Sequence, residues 1–189
     1  QNFTVANGAS LTTTGTITVL AEDIATTLET VVVVQDRSAS ISIGDGATVS
    51  GSDVRLIAYS WDGGTPAQLI ATVSEPLARV GGGLLTILNK LFGSLPVSVI
   101  VKSATVSVTV GQNAQIHATN GSLQIISESS VASNGSPESE FFAVGYSQAY
   151  ATATVDVKAG AQLTASGAVD VRAAGTADAG MKASTSREL

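Results

Sequence analysis

The residues that could carry catalytic or metal-binding chemistry are few, because the chain has one histidine and no cysteine. His117 follows Ile116 in an alternating run, so it is expected to point outwards where Ile116 points inwards. The serine-nucleophile motif GxSxG does not occur, and metal sites built from Cys or several His residues lack their ligands. We therefore predict that the chain is not an enzyme, has no catalytic residue, no cofactor and no metal ligand, and that His117 is a surface residue.

Carboxylates leave one further route to catalysis, since solenoid polysaccharide lyases and hydrolases place acidic and basic residues on one face of stacked coils. The spacings Asp156-Val-Lys158 and Asp170-Val-Arg172 put both charges of each pair on the outer side of a strand, where ion pairs contribute little. A catalytic acid pair would need a cleft and a separation of about 5–10 Å. No cleft is indicated, so we interpret these candidates as surface charges; they are Asp45, Asp53, Asp156, Asp170, Arg55, Lys158 and Arg172.

Composition favours a β-rich chain and excludes a nucleic-acid surface. Only 13 % of the residues are charged, where globular domains carry about 25 %, and small and β-branched residues take their place. The net charge is −6, and the nine basic residues are scattered instead of forming the patch that nucleic-acid binding requires. No apolar run reaches about 18 residues, so no transmembrane segment is predicted.

Four segments of the chain repeat one pattern: Gly or Asn, then Ala, an aliphatic residue two positions on, a short Gly-containing turn, and two alternating aliphatic residues. The clearest copies are "NAQIHATNGSLQI" (113–125) and "GAQLTASGAVDV" (160–171). The Gly or Asn that opens each copy supplies the positive φ of a sharp corner. The predicted corners are Gly8, Gly46, Asn113 and Gly160, and the first aliphatic position of each copy is Leu11, Val49, Ile116 or Leu163.

The alternation on both sides of each corner predicts short strands with one buried face. A single copy is too small to bury its own aliphatic residues, whereas stacked copies align them into a continuous interior ladder. We therefore predict an all-β chain, a parallel β-helix or β-solenoid, forming one segment over residues 1–189 with repeats that start near 8, 46, 113 and 160. A β-sandwich of short strands is the alternative architecture.

Residues from about 60 to 100 depart from the repeat and are predicted to form an insertion with a short helix at about 75–93. Leu84, Leu88 and Leu91 lie three or four positions apart on one helical face. This face could pack on the flank of the solenoid or contact a partner. Trp61, where the insertion begins, is either a covering residue or a sugar contact.

Three Asn-x-Ser/Thr sequons are candidate glycosylation sites, at Asn2, Asn120 and Asn134. The last two fall in predicted turns, where a glycan could be accommodated.

The repeated pattern resembles the parallel β-helix passenger regions of large bacterial surface adhesins of the filamentous-haemagglutinin type. The resemblance rests on the two copies quoted above and on Val/Ala/Thr/Ser alternation over most of the chain outside 60–100. These motifs encode the geometry of a coil and no chemistry. The resemblance implies secretion to the cell surface, an elongated right-handed solenoid, and a role in adhesion or scaffolding.

We therefore expect a non-enzymatic extracellular β-solenoid, either a segment of a larger surface adhesin or a subunit of a self-assembling filament. Exposed strand edges at the ends of such a stack favour end-to-end self-association, and host or matrix glycans are candidate binding partners. The alternative is a carbohydrate-binding or polysaccharide-degrading solenoid. An ice-binding surface would need a regular Thr-x-Thr ladder, and the matching positions of the second and third repeats are not Thr.

Overall fold

The structure, a computed structural model, describes residues 1–24, 32–62, 97–136, 138–139 and 144–185. These residues contain no helix and form three four-stranded parallel sheets that stack against one another. The prediction of an all-β parallel solenoid is confirmed. The predicted helix at 75–93 lies outside the described residues.

Each sheet takes one strand from each of four successive coils, so that the chain returns to the same sheet once per coil. Sheet 1 contains β1 (Asn2–Val5), β4 (Val32–Ile43), β7 (Val97–Val110) and β11 (Val144–Val157). Sheet 2 contains β2 (Ser10–Thr12), β5 (Thr48–Gly51), β8 (Gln115–Ala118) and β12 (Gln162–Ala165). Sheet 3 contains β3 (Ile17–Ile24), β6 (Val54–Asp62), β9 (Leu123–Gly135) and β13 (Val169–Met181). A separate parallel pair joins β10 (Glu138–Ser139) to β14 (Ser184–Thr185).

The corner between sheets 1 and 2 is made in the same way in every coil. One residue there has a positive φ, which turns the chain sharply and costs a glycine little. The value is 67° at Gly8, 65° at Gly46, 55° at Asn113 and 74° at Gly160. Asn is the non-glycine residue that best tolerates this conformation, which explains why it replaces Gly in the third coil.

Strand register places the equivalent aliphatic residues of successive coils side by side. Leu11 pairs with Val49, Val49 with Ile116, and Ile116 with Leu163. In sheet 3 the equivalent column contains Ile17, Val54, Leu123 and Val169. These columns meet in the middle of the stack, where Val49, Val54, Ile116 and Leu123 are fully buried in the main hydrophobic core.

Because residues of one interior column are buried to different depths, replacing them by Ala should destabilise the protein by different amounts. Ile116→Ala should lower the free energy of unfolding by about 2–5 kcal/mol, because it opens a cavity in a fully buried position. Leu163→Ala, in the same column but on the partly buried fourth coil, should cost clearly less. Urea denaturation of both variants measures the difference, and equal losses would contradict this account of the core.

The long strands of sheets 1 and 3 continue past the short strands of sheet 2. In the third coil, β7 has 14 residues and β9 has 13, whereas β8 has four. Beyond sheet 2 the other two sheets therefore face each other directly, and the triangular coil narrows into a two-layered region. The spacing between layers there must be small, because serine hydroxyls of β9 reach backbone carbonyls of β7.

Candidate functional site

Asp45 and Asp53, which the sequence analysis considered as candidates for catalysis, support the corners of the coils. Asp45 accepts a hydrogen bond from the backbone N–H of Gln112 (2.7 Å), while its own N–H donates to Asn7 Oδ1 (3.0 Å). At the next corner Asp53 Oδ1 accepts from the N–H of Ser122 (3.0 Å). Each carboxylate thus satisfies a backbone donor of the following coil, as capping side chains do at helix ends.

Both charge pairs predicted in the fourth coil are present, and the two residues of each pair are near neighbours in sequence. Lys158 Nζ lies 2.5 Å from Asp156 Oδ2, and Arg172 Nε lies 3.9 Å from Asp170 Oδ2. The hydrogen bond to Asp156 raises the pKa of Lys158, and the negative charges of Asp156 and Asp45 act in the same direction. Both pairs are open to solvent, which limits their effect on stability. Arg55 is exposed on the outer side of sheet 3.

His117 lies on the outer side of sheet 2. Its Nδ1 is 2.5 Å from Thr164 Oγ1, so a hydrogen bond joins the third and fourth coils across the outer surface. The position of His117 beside buried Ile116 follows the alternation of β8.

The three sequons occupy different settings. Asn2 is on β1, where its side-chain oxygen accepts a hydrogen bond from the hydroxyl of Ser40 (2.8 Å). Asn120 is exposed in the turn between β8 and β9. Asn134 is also exposed, but it belongs to β9 (Leu123–Gly135), so the turn predicted at this residue is wrong. Gly and Asn favour a turn by composition, and pairing of β9 with β13 outweighs that preference.

Trp61 is the one of the four candidate partner-contact residues that lies in the part of the chain that the structure describes. Trp61 packs against a second hydrophobic cluster, formed by Ile57, Tyr59 and Ile126 on the outer side of sheet 3, together with Leu20. Trp61 therefore takes part in covering this cluster. Leu84, Leu88 and Leu91 lie outside the described residues.

Among the described residues, two ion pairs lie between sheets 1 and 3, and neither pair was predicted from the sequence. Lys102 Nζ is 3.1 Å from Asp62 Oδ1, and both side chains are buried. Arg37 Nη1 is 2.8 Å from Asp23 Oδ1 in a more open position. In each pair the acid comes from sheet 3 of one coil and the base from sheet 1 of the next coil, so each pair ties successive coils together.

Buried serine side chains also lie between these sheets. Ser127, Ser129 and Ser133 on β9 donate to the carbonyls of Val106, Ala104 and Ile100, at 3.0, 3.2 and 3.1 Å. The recurrence of serine at alternate positions of a strand is the signal that could have indicated this packing. Serine is usually exposed, so the signal is weak without knowledge of the facing sheet.

Among the described residues, the inward-facing side chains of the fourth coil are the most exposed. Val157, Val169 and Val171 are 39 %, 48 % and 42 % exposed, although their register partners Val110, Leu123 and Ile125 in the third coil are fully buried. In the described part of the chain, β11, β12 and β13 are each the last strand of their sheet. At the opposite side of the stack, Leu11 and Phe3 of the first coil are 38 % and 36 % exposed.

Neither a metal centre nor a membrane helix is found in the ranges that the structure describes. No group of three or more His, Cys, Asp or Glu residues there is arranged to hold a metal ion. Likewise, none of the described segments is a helix with the length and hydropathy of a membrane span. Comparisons of the chain with protein-family models, with curated proteins and with solved structures found no match.

Proposed function

We propose that this chain is a non-enzymatic structural segment of an extracellular, cell-surface β-solenoid, as in a surface adhesin or a filament. The observation that carries the proposal is the open fourth coil. Its inward-facing valines and its strand edges are arranged to receive a further parallel coil of the same kind.

Physical chemistry favours covering this surface. Three valines that are 39–48 % exposed lie on or beside β11, β12 and β13, each of which is the last strand of its sheet in the part of the chain that the structure describes. An unpaired strand edge is a template for another strand, and each apolar side chain that is covered adds hydrophobic stabilisation. A further coil would satisfy both requirements at once.

The first coil offers the matching surface. Its strands β1, β2 and β3 are the outermost strands of the three sheets on the other side of the stack, and they follow the same strand–corner–strand pattern as the coils between them. A contact between the fourth coil of one copy and the first coil of the next is heterologous and does not close, so it extends into a filament. End-to-end association of this kind is the partner interaction that we propose.

The adhesin-like part of the proposal is supported by the resemblance of the repeats and by the small-residue composition. The localisation at the cell surface follows from the same resemblance. A structural role also accounts for the way in which Asp45 and Asp53 are engaged in supporting corners.

Association of the chain with itself tests the proposal. Light scattering and electron microscopy over rising protein concentration should show rods of constant width and variable length. Val171→Lys, which puts a charge on the open end of the core, should keep the protein monomeric and folded. Gln162→Lys introduces the same charge on the exposed outer side of the same coil and should assemble like the unchanged chain. A protein that stays monomeric at every concentration, or assembly that Val171→Lys leaves unaffected, would contradict end-to-end stacking.

A further inference from the structure

A row of two exposed aromatic side chains and one partly exposed amide side chain lies on the outer side of sheet 1. Tyr146, Gln148 and Tyr150 occupy alternate positions of β11, so they project from the same side of the strand. Tyr146 and Tyr150 are each 51 % exposed. The chain has three tyrosines, and the third, Tyr59, is buried. We refer to Tyr146, Gln148 and Tyr150 as the tyrosine row.

Hydrogen bonds link the three side chains of the tyrosine row. The hydroxyl of Tyr146 donates to Gln148 Oε1 (2.7 Å), and Gln148 Nε2 donates to the hydroxyl of Tyr150. At a rise of about 3.3 Å per residue, the two tyrosines are roughly 13 Å apart along the strand. The phenol and amide groups keep further donor and acceptor positions for a ligand.

The surface around the tyrosine row combines an apolar part with rows of hydroxyl groups. Val99 and Val101 of β7 are the register partners of Tyr146 and Gln148, and both are partly exposed. Further along, hydroxyl-bearing residues of three adjacent strands form two rows. These rows are Thr152, Thr105 and Ser38, followed by Thr154, Ser107 and Ser40.

The charges on this surface distinguish between classes of ligand. Its carboxylates are Asp36, which accepts a hydrogen bond from Ser103 (2.7 Å), and Asp156, which pairs with Lys158. Two nearby basic residues, Arg37 and Lys102, instead form ion pairs with acids of sheet 3. Asp36 is level with Tyr150 in the strand register. A surface that carries carboxylates repels an anionic polymer and is compatible with a neutral one.

We propose that the outer side of sheet 1 binds a neutral polysaccharide, with Tyr146 and Tyr150 as stacking platforms. A sugar ring presents C–H groups on its faces and hydroxyls at its rim. Aromatic rings provide large contact areas for the C–H groups, and amide and hydroxyl side chains hydrogen-bond to the rim. The tyrosine row, the adjoining valines and the hydroxyl rows provide these groups on one surface. This binding goes beyond the structural role proposed above and requires only a single copy of the chain.

Retention by insoluble polysaccharides tests this assignment. The folded chain is incubated with cellulose, xylan and chitin as neutral probes, and with immobilised heparin and alginate as anionic ones. We expect retention by at least one neutral probe. Tyr146→Ala and Tyr150→Ala should each weaken that retention about tenfold, which corresponds to about 1.4 kcal/mol. Tyr146→Phe and Tyr150→Phe keep the rings and should retain most of the affinity.

The matched control changes two exposed side chains on another sheet. Gln115→Ala with Gln162→Ala alters the outer side of sheet 2, where both residues are exposed and in register, and should bind like the unchanged chain. Circular dichroism confirms that each variant is folded. Repeating the assay with Val171→Lys separates binding from assembly, because binding should persist in this monomeric variant. Failure to bind any neutral probe, equal binding by the alanine variants, or stronger retention by heparin or alginate would overturn the proposal.

Discussion

Lys102→Met should lower the free energy of unfolding by about 3–5 kcal/mol, because it leaves the carboxylate of Asp62 buried between two sheets without its ion-pair partner. The other oxygen of Asp62 is also buried and has no hydrogen-bond partner in the part of the chain that the structure describes. Without the ammonium group, nothing in the described part of the chain offsets the free-energy cost of burying the Asp62 carboxylate. Chemical denaturation of the purified variant measures the loss.

The double variant Lys102→Met/Asp62→Leu provides the decisive comparison. Replacement of both charges by apolar groups of similar size removes the unpaired carboxylate, so stability should recover most of the loss seen for Lys102→Met. Lys158→Met makes the same substitution in the exposed pair with Asp156, and its unfolding midpoint should not change measurably. If the double variant loses the sum of the two single losses, the two side chains are not coupled and the account is wrong.

Gly111→Ala should destabilise the stack by about 3 kcal/mol, at the upper end of the cost of overpacking. A methyl group at this position would lie 2.6 Å from the backbone nitrogen of Asp45 in the preceding coil. Backbone cannot move aside as a side chain can, so the third coil would have to shift away from the second. Gly44 is under the same constraint against Asn7 of the first coil.

Gly46→Ala, at the equivalent corner of the second coil, serves as the matched comparison. A methyl group there would have no heavy atom within 4 Å, but the residue has a φ of 65°. The expected cost is the conformational one of about 1–2 kcal/mol. Thermal and urea denaturation of the two variants should thus rank Gly111→Ala as the more damaging. The reverse order would show that local φ strain outweighs the close approach between coils.

The fourth coil has Lys158 at the position equivalent to Gly111, so the prediction applies to the junctions between the first three coils.

The repeated corner could be deduced from sequence because its causes are local. A residue that tolerates positive φ turns the chain, and alternation around it separates inner from outer side chains. These two signals recur four times, and their recurrence is sufficient to align Leu11 with Val49, Ile116 and Leu163. Stacking itself follows because one coil cannot bury its own aliphatic residues.

The interior beyond sheet 2 could not be deduced in the same way. Ser129 and Lys102 belong to residue types that are usually exposed, and their sequence neighbourhoods resemble those of surface strands. They are buried because the strands of sheets 1 and 3 are longer than those of sheet 2, so that the two sheets meet directly. Partners such as Asp62 and Lys102 are 40 residues apart in sequence, and only the register of the coils brings them together.

For the tyrosine row as well, one property follows from the local sequence and another depends on the tertiary structure. The alternation of Tyr146, Gln148 and Tyr150 in sequence is sufficient to put the three side chains on one side of a strand. Sequence alone could not distinguish the inner side from the outer side, because exposure depends on what the opposite sheet covers. The sequence by itself determined the corners, the coil repeat and the interior columns. Tertiary structure alone decided which polar and aromatic residues are buried between the sheets and which are exposed, because that depends on where strands of unequal length come to face each other.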